Sequence, residues 1–228
     1  ELWTELGGAT RAGQGVKIAI LDSGIDTTHP MFSSTGFSYP SGFPKGDARY
    51  TSPKVIAARA YFRPTDPPMA GEDSPLPGIF GSGHGTHVAG IAGGNAVMAE
   101  IEGLAQEISG VAPKAWLMNY RVFYPTDASG LEIAYSAEIL RAIEDAVKDG
   151  ADVICNSWSN SSASLPFASP EAEALNTAIE AGCVVVAPAG NDGPGYGSAS
   201  RAPGGIERVI TVGAVSKGQV IASDLLDV

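Results

Sequence analysis

Three side chains in this sequence have the types and surroundings needed for acyl-transfer chemistry. Asp22 directly follows an apolar run, and His84 lies in a glycine-rich stretch. A carboxylate that orients an imidazole, and an imidazole that takes a proton from a nucleophile, form two parts of a catalytic triad. The small neighbours Gly83 and Gly85 leave room for a substrate backbone beside the ring. Asn191, an amide among glycines, could donate a hydrogen bond to a developing oxyanion.

Each of these residues also has a simpler interpretation. An acid after a buried strand is usually a cap or turn residue, and a single histidine usually has a structural role. The glycines at 81–85 suggest a nucleotide loop, but Thr86 breaks the G-x-G-x-x-G pattern and no strand precedes it. His84 and His87 are three positions apart, a poor spacing for two metal ligands on a helix. No cysteine or third histidine lies nearby, so the sequence predicts no metal site.

The elements that must position these residues follow from apolar patterning. Five short apolar runs have the continuous hydrophobicity of strands buried on both faces. They are Val16–Leu21, Ala115–Val122, Asp152–Ser157, Cys183–Pro188 and Arg208–Val215. The polar clusters follow the ends of these runs, and ligands of open parallel sheets bind beyond the carboxyl ends of the strands.

Two helices are predicted between the later runs. Residues 137–149 place apolar side chains on one face, and Gly150 suits the position after the helix. Ser169 and Pro170 are typical of a helix start, and Gly182 is typical of its end. Alternating strands and helices predict an α/β fold of three layers, with a central parallel sheet and helices on both faces. In contrast, residues 27–83 are rich in proline, glycine and serine, and we expect a loop-rich insertion there.

Composition excludes several classes of protein. The chain has 228 residues, 44% of them hydrophobic, which is enough for one large domain with a sizeable core. Its net charge of −11, with no basic cluster, disfavours a nucleic-acid partner. No stretch is apolar enough for a transmembrane helix, so no membrane partner is expected. The cysteines, Cys155 and Cys183, fall several residues out of register on neighbouring strands, which favours two free thiols.

Four segments resemble, in order and spacing, the motifs of the subtilisin-like serine peptidases, or subtilases. The resemblance covers essentially the whole chain, and four motifs in order are a specific signal. The segments are Ile20-Leu21-Asp22-Ser23-Gly24-Ile25-Asp26 with His29-Pro30, Gly83-His84-Gly85-Thr86-His87-Val88-Ala89-Gly90, Gly110-Val111-Ala112-Pro113 and Ala187-Pro188-Ala189-Gly190-Asn191.

The resemblance implies a role for each matching residue. Asp22 would orient His84, His84 would be the general base, and Asn191 would bind the oxyanion. A protein or peptide substrate would bind as an extended strand, held by main-chain hydrogen bonds. Its binding edges would be Ser129 and Gly130 on one side and Ser157, Trp158 and Ser159 on the other, with Ala189 and Gly190 opposite in the S1 pocket. The resemblance further implies secretion to the extracellular space and a possible propeptide, and it gives no oligomeric state.

The sequence departs from the family pattern at its nucleophile. Subtilases carry the serine in a Gly-Thr-Ser turn, whereas the single Gly-Thr pair here, Gly85-Thr86, is followed by His87. Ser198 and Ser200 lie in a polar loop with no sign of activation. We therefore expect residues 1–228 to be the N-terminal portion of a longer peptidase domain, incomplete at its C-terminus and inactive alone. The alternative is a pseudoprotease or scaffold that binds peptides without cleaving them.

The sequence departs from the family pattern at two further positions, one in the calcium site and one in the S1 pocket. Met31 stands where many subtilases have a calcium ligand, and a thioether is a poor ligand for calcium. No cofactor is therefore expected, with calcium as the alternative that the resemblance leaves open. Ser159 replaces a common glycine, which would narrow the entrance of the pocket. The long 27–83 segment is similar to that of the large subtilases that carry a protease-associated domain.

Overall fold

The computed structural model describes residues 2–5, 7–79, 83–101, 103–159, 169–193 and 201–214. Seven strands form one sheet, with the bounds Lys17–Asp22 (β1), Lys45–Gly46 (β2), Val55–Ala60 (β3), Trp116–Arg121 (β6), Val153–Cys155 (β9), Val184–Pro188 (β10) and Ile210–Val212 (β11). Their order across the sheet is β11-β10-β9-β1-β6-β3-β2, and every neighbouring pair is parallel. The predicted parallel sheet is therefore confirmed.

Helices and two small hairpins complete the described structure. The helices are Leu2–Glu5 (α1), His84–Gly93 (α2), Ser136–Lys148 (α3) and Pro170–Glu180 (α4), with short 3-10 turns at Pro30–Phe32 and Ala48–Tyr50. The antiparallel hairpins pair Val97–Ile101 (β4) with Leu104–Ile108 (β5), and Tyr124–Pro125 (β7) with Glu132–Ile133 (β8). Within the described ranges, none of the helices combines the length and hydrophobicity that crossing a bilayer requires.

The sheet is covered on both faces, because successive side chains of a strand point to opposite sides. Ala19 and Leu21 of β1 join the core cluster that includes the buried sides of α3 and α4. Ile18 and Ile20 join a second cluster, which includes Ala89 of α2. Strand β1 thus lies between two hydrophobic cores, and the three-layer prediction is confirmed.

The predicted helix ends are also confirmed. The hydroxyl of Ser169 accepts a hydrogen bond from the main-chain N–H of Ala172, and Pro170 is the first helical residue. Gly150 and Gly182, just beyond α3 and α4, have φ angles of +85° and +100°. Glycine adopts this left-handed conformation without the steric cost that other residues incur.

The prediction for residues 27–83 was wrong in one respect, because this segment contributes β3 to the central sheet. Strand β3 pairs with β6 along Val55–Ala60, and four of its six residues are buried. Alanines fill three of its positions, so it lacks the bulky β-branched run by which strands are recognised in a sequence. Two predicted strands are also shorter than expected, spanning Val153–Cys155 and Ile210–Val212.

The two cysteines are both free, as predicted. Cys155 lies opposite Val186 in the pairing of β9 with β10, three positions beyond Cys183. Burial is the main cause that raises the pKa of the Cys155 thiol to about 11, and the charge of Asp22 adds to it. Cys155 is therefore protonated and unreactive at neutral pH.

Candidate active site

Asp22 is held at the carboxyl end of β1, a central strand of the sheet. Strand β1 pairs with β6 on one side and β9 on the other, so its main chain is fixed from both sides. The Asp22 carbonyl accepts a hydrogen bond from Val122 N–H, and its carboxylate accepts one from Ser23 N–H at 2.7 Å. Only 2% of Asp22 is exposed. A buried carboxylate needs such donors, because burial removes the hydrogen bonds of water.

His84 is the first residue of α2, and close packing brings this helix end to Asp22. Ser23 Oγ accepts a hydrogen bond from the Gly85 N–H at 3.0 Å. A methyl group on Gly85 would lie 2.5 Å from the main-chain oxygen of Gly24, so no larger residue fits at that position. The glycine next to the histidine therefore permits the close approach of helix and strand.

Asp22 and His84 form a direct hydrogen-bonded pair across 62 positions of sequence. His84 Nδ1 lies 2.8 Å from Oδ1 and 3.0 Å from Oδ2 of Asp22. About half of the histidine side chain is exposed, at 47%, while the aspartate side chain is buried. The arrangement has a sheltered carboxylate behind a ring that faces outward.

The hydrogen bond that His84 Nδ1–H donates to the Asp22 carboxylate is the main cause that raises the pKa of His84 above its ordinary value. Partial burial opposes this shift, and the charges of Asp22 and Glu132 add to it. With Nδ1–H donating to the carboxylate, the neutral ring carries its basic lone pair on Nε2. The pair can therefore accept a proton at Nε2 and stabilise the imidazolium that results.

Asn191 lies at the same edge of the sheet as the pair. It follows β10, which is separated from β1 by the single strand β9. Two strand spacings correspond to about 10 Å. Ala189 N–H donates to the carbonyl of Val212, and Gly190 has a φ of +99°, so the chain turns sharply before the exposed Asn191.

Five of the predicted substrate-binding residues lie in two loops, while Ala189 and Gly190 lie in a third, directly after β10. Ser129 and Gly130 lie in the turn between β7 and β8, where Ser129 N–H donates to the Asp127 carboxylate. Ser157, Trp158 and Ser159 follow β9 after one intervening residue, Asn156, with Ser159 exposed and Ser157 half-buried. Trp158 is only 7% exposed, and its ring packs beside that of Phe123 at 6.5 Å between centroids. Its side chain therefore belongs to the hydrophobic core as well as to the predicted substrate edge.

Met31 does not provide what a calcium ion requires at its position. Its side chain is buried in the apolar cluster with Ile25 and Phe32, and its sulfur faces Gly90 of α2. Calcium binds oxygen ligands, and this position offers a thioether in an apolar setting. Within the described residues there is also no group of three or more His, Cys, Asp or Glu side chains that could hold a metal.

Three contributors to the site were not identified from the sequence. The hydroxyl of Ser23 fixes the start of α2, and the hydroxyl of Thr86 accepts a hydrogen bond from Asp26 N–H at 2.9 Å. Ser23 and Thr86 both lie within the subtilase-like segments of the sequence, and this was the signal that could have identified them. A sequence motif does not show, however, which contacts a residue makes. Glu132 acts through space on His84, and no local pattern indicated it.

Replacement of Asp22 by Asn should lower the pKa of His84, because the amide carries no charge to stabilise the imidazolium. A pH titration of the His84 ring signals by NMR measures this directly. Glu132→Gln is the matched control, and it should lower the pKa less, because that carboxylate acts only through its charge. In the wild type, the pair's contribution to stability is present below the ordinary histidine pKa of about 6.5 and is lost as pH rises through the raised value. An unchanged His84 pKa in Asp22→Asn would contradict the geometry.

Comparison with known proteins gives a consistent result. Residues 13–224 match the profile of the Subtilase family. Subtilisin-like protease SBT2.1 of Arabidopsis thaliana is 33% identical, over 98% of this chain and 28% of the relative. Minor extracellular protease Vpr of Bacillus subtilis (strain 168) is 34% identical, over 89% of this chain and 21% of the relative. The chain thus spans about a quarter of the length of these relatives.

Solved structures give the same assignment. Sphericase superimposes with a TM-score of 0.59 at 28% identity, covering 92% of this chain and 56% of that one. The S41 psychrophilic protease gives a TM-score of 0.57 at 27% identity, with 88% and 53% covered. The matched sheet, the Asp22–His84 pair and the family profile agree, and the chain belongs to the subtilase family.

Proposed function

We propose that the protein containing this chain is a serine endopeptidase, and that this chain supplies its aspartate, its histidine and its oxyanion asparagine. The observation that carries the proposal is the hydrogen-bonded pair of Asp22 and His84. A histidine with only a structural role has no need of a buried carboxylate behind Nδ1 and an exposed ring face. The relatives named as proteases support the same activity.

In this mechanism His84 acts first as base and then as acid. Nε2 takes the proton of a serine hydroxyl while the serine oxygen attacks the scissile carbonyl carbon. Asp22 holds the ring in place and stabilises the imidazolium. The imidazolium then gives its proton to the leaving amine, and the acyl-enzyme is hydrolysed by a water that His84 activates in the same way.

The nucleophilic serine is proposed to lie in sequence outside these 228 residues. Residues 1–228 contain no Gly-Thr-Ser sequence, and His87 takes the place of the serine after their single Gly-Thr pair. Residues 1–228 alone should therefore bind peptides weakly and leave them intact. The pseudoprotease alternative predicts that the longer protein is inactive as well.

The amide of Asn191 is proposed to bind the oxyanion. The tetrahedral intermediate places negative charge on the former carbonyl oxygen, and a preorganised donor stabilises that charge. Three features suit Asn191 to this role: its exposure, its place beyond β10 and the sharp turn at Gly190.

Substrate is proposed to bind as an extended strand between the two loops at this edge. Ser129 and Gly130 would pair with one side of the peptide backbone, and Ser157–Ser159 would pair with the other. Ala189 and Gly190 would form the far wall of the S1 pocket. Six of these seven positions carry Ser, Gly or Ala. Small side chains leave main-chain groups accessible to a peptide, and strand addition gains its affinity from such groups.

Several properties of the whole protein follow as expectations. We infer an extracellular location, which the name of the Bacillus subtilis relative supports. Calcium is not expected at Met31, because the surroundings of the thioether are apolar. A propeptide stays a prediction.

A fluorophosphonate probe tests the proposal, because it labels only serines that are activated as nucleophiles. The full-length protein should be labelled at one serine outside residues 1–228, and His84→Ala should abolish that labelling. Residues 1–228 expressed alone should stay unlabelled. Labelling of this shorter chain that is lost on changing one of its serines would refute the location of the nucleophile. A full-length protein that never reacts would favour the pseudoprotease.

Replacement of Asn191 by Ala should lower kcat by about 10²–10³-fold with little change in KM. That magnitude is the general one for an oxyanion donor and was itself established on a subtilisin. Steady-state kinetics on a peptide substrate measures it. Asp192→Ala is the matched control, since Asp192 is exposed and pairs with Arg201 at the surface, and it should leave kcat near the wild-type value. Equal effects of the two substitutions would argue against the oxyanion role.

A further inference from the structure

Arg121 and Glu72 form an ion pair that is entirely buried beside the active site. Both side chains have 0% exposure, and Arg121 Nη2 donates to Glu72 Oε2 at 2.9 Å. Arg121 is the last residue of β6 and lies in register with Asp22, the last residue of β1. A fully buried guanidinium is uncommon, and it requires partners for its donors.

Nη1 of Arg121 binds a single segment of chain, residues 72–78. Nη1 donates to the main-chain oxygens of Glu72, Ser74 and Leu76, at 2.9, 3.0 and 2.7 Å. Nε donates to the carbonyl of Phe123, two residues beyond the end of β6, which fixes the guanidinium to the chain that follows its own strand. One arginine thus gathers three carbonyls of the 72–78 segment into a tight turn. Gly78 completes it, since a methyl group there would collide with the Glu72 carboxylate.

The 72–78 segment presses on the turn that carries Asp22. A methyl group on Gly24 would lie 2.6 Å from the main-chain oxygen of Pro75, so the two chains are in direct contact. The buried side chain of Asn119 adds a hydrogen bond to that same oxygen, at 2.8 Å. Gly24 in turn contacts Gly85 on its other side. The order of layers is therefore the 72–78 segment, the Gly24 turn, and the first turn of α2.

We propose that the Arg121–Glu72 pair is a positioning device for the Asp22–His84 pair. It clamps the 72–78 segment onto the Gly24 turn, and this contact holds the turn against the start of α2, where His84 lies. The effect of the ion pair on the position of His84 is inferred from the geometry alone. Its effect on catalysis rests on the proposed function.

The chemistry of the pair suits such a role. Catalytic groups must be held within about 0.5 Å of their productive geometry by residues that are themselves locked. A planar guanidinium with five donors can bind several carbonyls at fixed angles, whereas a lysine ammonium lacks this fork. Arg121→Lys therefore keeps the positive charge while it removes the geometry. Glu72→Gln keeps the shape of the acceptor while it removes the negative charge.

The test follows His84 by NMR in the isotope-labelled full-length protein. In Arg121→Lys, the low-field signal of the Nδ1 proton should be lost or broadened, and the pKa of His84 should shift down toward its ordinary value. The kcat for peptide hydrolysis should fall by up to about 10²-fold with KM little changed, the size expected for a small misplacement of catalytic groups. Glu72→Gln should move each readout in the same direction and by less. If Arg121→Lys does not fold, Glu72→Gln alone decides the outcome.

Arg59→Lys is the matched control for general destabilisation. Arg59 makes a bidentate pair with Asp149, at 2.8 and 2.9 Å, and it has no contact with the 72–78 segment among its described hydrogen bonds. It should lower the free energy of unfolding and leave the His84 signals unchanged. The proposal is overturned if folded Arg121→Lys or Glu72→Gln behaves in the same way. A wild type without peptidase activity would refute the proposed function, while the imidazole signals would still report on the clamp.

Discussion

Much of the described structure serves to form one interaction, the hydrogen bond between the Asp22 carboxylate and Nδ1 of His84. A carboxylate that is only 2% exposed costs free energy unless its oxygens have donors. Here Ser23 N–H and the histidine ring supply those donors. The same interaction raises the pKa of His84, because the buried negative charge of Asp22 favours the imidazolium over the neutral ring. Orientation of the ring and stabilisation of its charged form thus have a single cause.

The architecture supplies this interaction by fixing the two residues independently. Asp22 is held by a strand with neighbours on both sides and a hydrophobic core on each face. His84 is held by the start of a helix that approaches the strand closely, because Gly24 and Gly85 carry no side chains. Asn191 comes from a third place in the chain, and parallel strand order brings it to the same edge. The parallel sheet therefore gathers residues that are far apart in sequence.

Much of this arrangement could be predicted from the sequence. Strand β1 and helices α3 and α4 have clear patterns, and the Asp22 and His84 motifs carry their own local signals. Strand β3 was missed because alanines fill it and loop-like sequence surrounds it, so its place in the sheet depends on pairing with β6 rather than on local preference. The role of Glu72 was equally hidden. Nothing near it in the sequence indicates that an arginine 49 positions away will bury it.

The central claim is that Asp22 acts through His84 in one catalytic unit, and a double-mutant cycle tests it most directly. We would measure kcat/KM of the full-length protein with Asp22→Asn, with His84→Ala and with both changes. The account predicts that the double variant is no slower than His84→Ala alone, because the carboxylate has no function once the imidazole is gone. If Asp22→Asn lowers kcat/KM by the same factor with and without the histidine, the two residues act separately and the account is wrong.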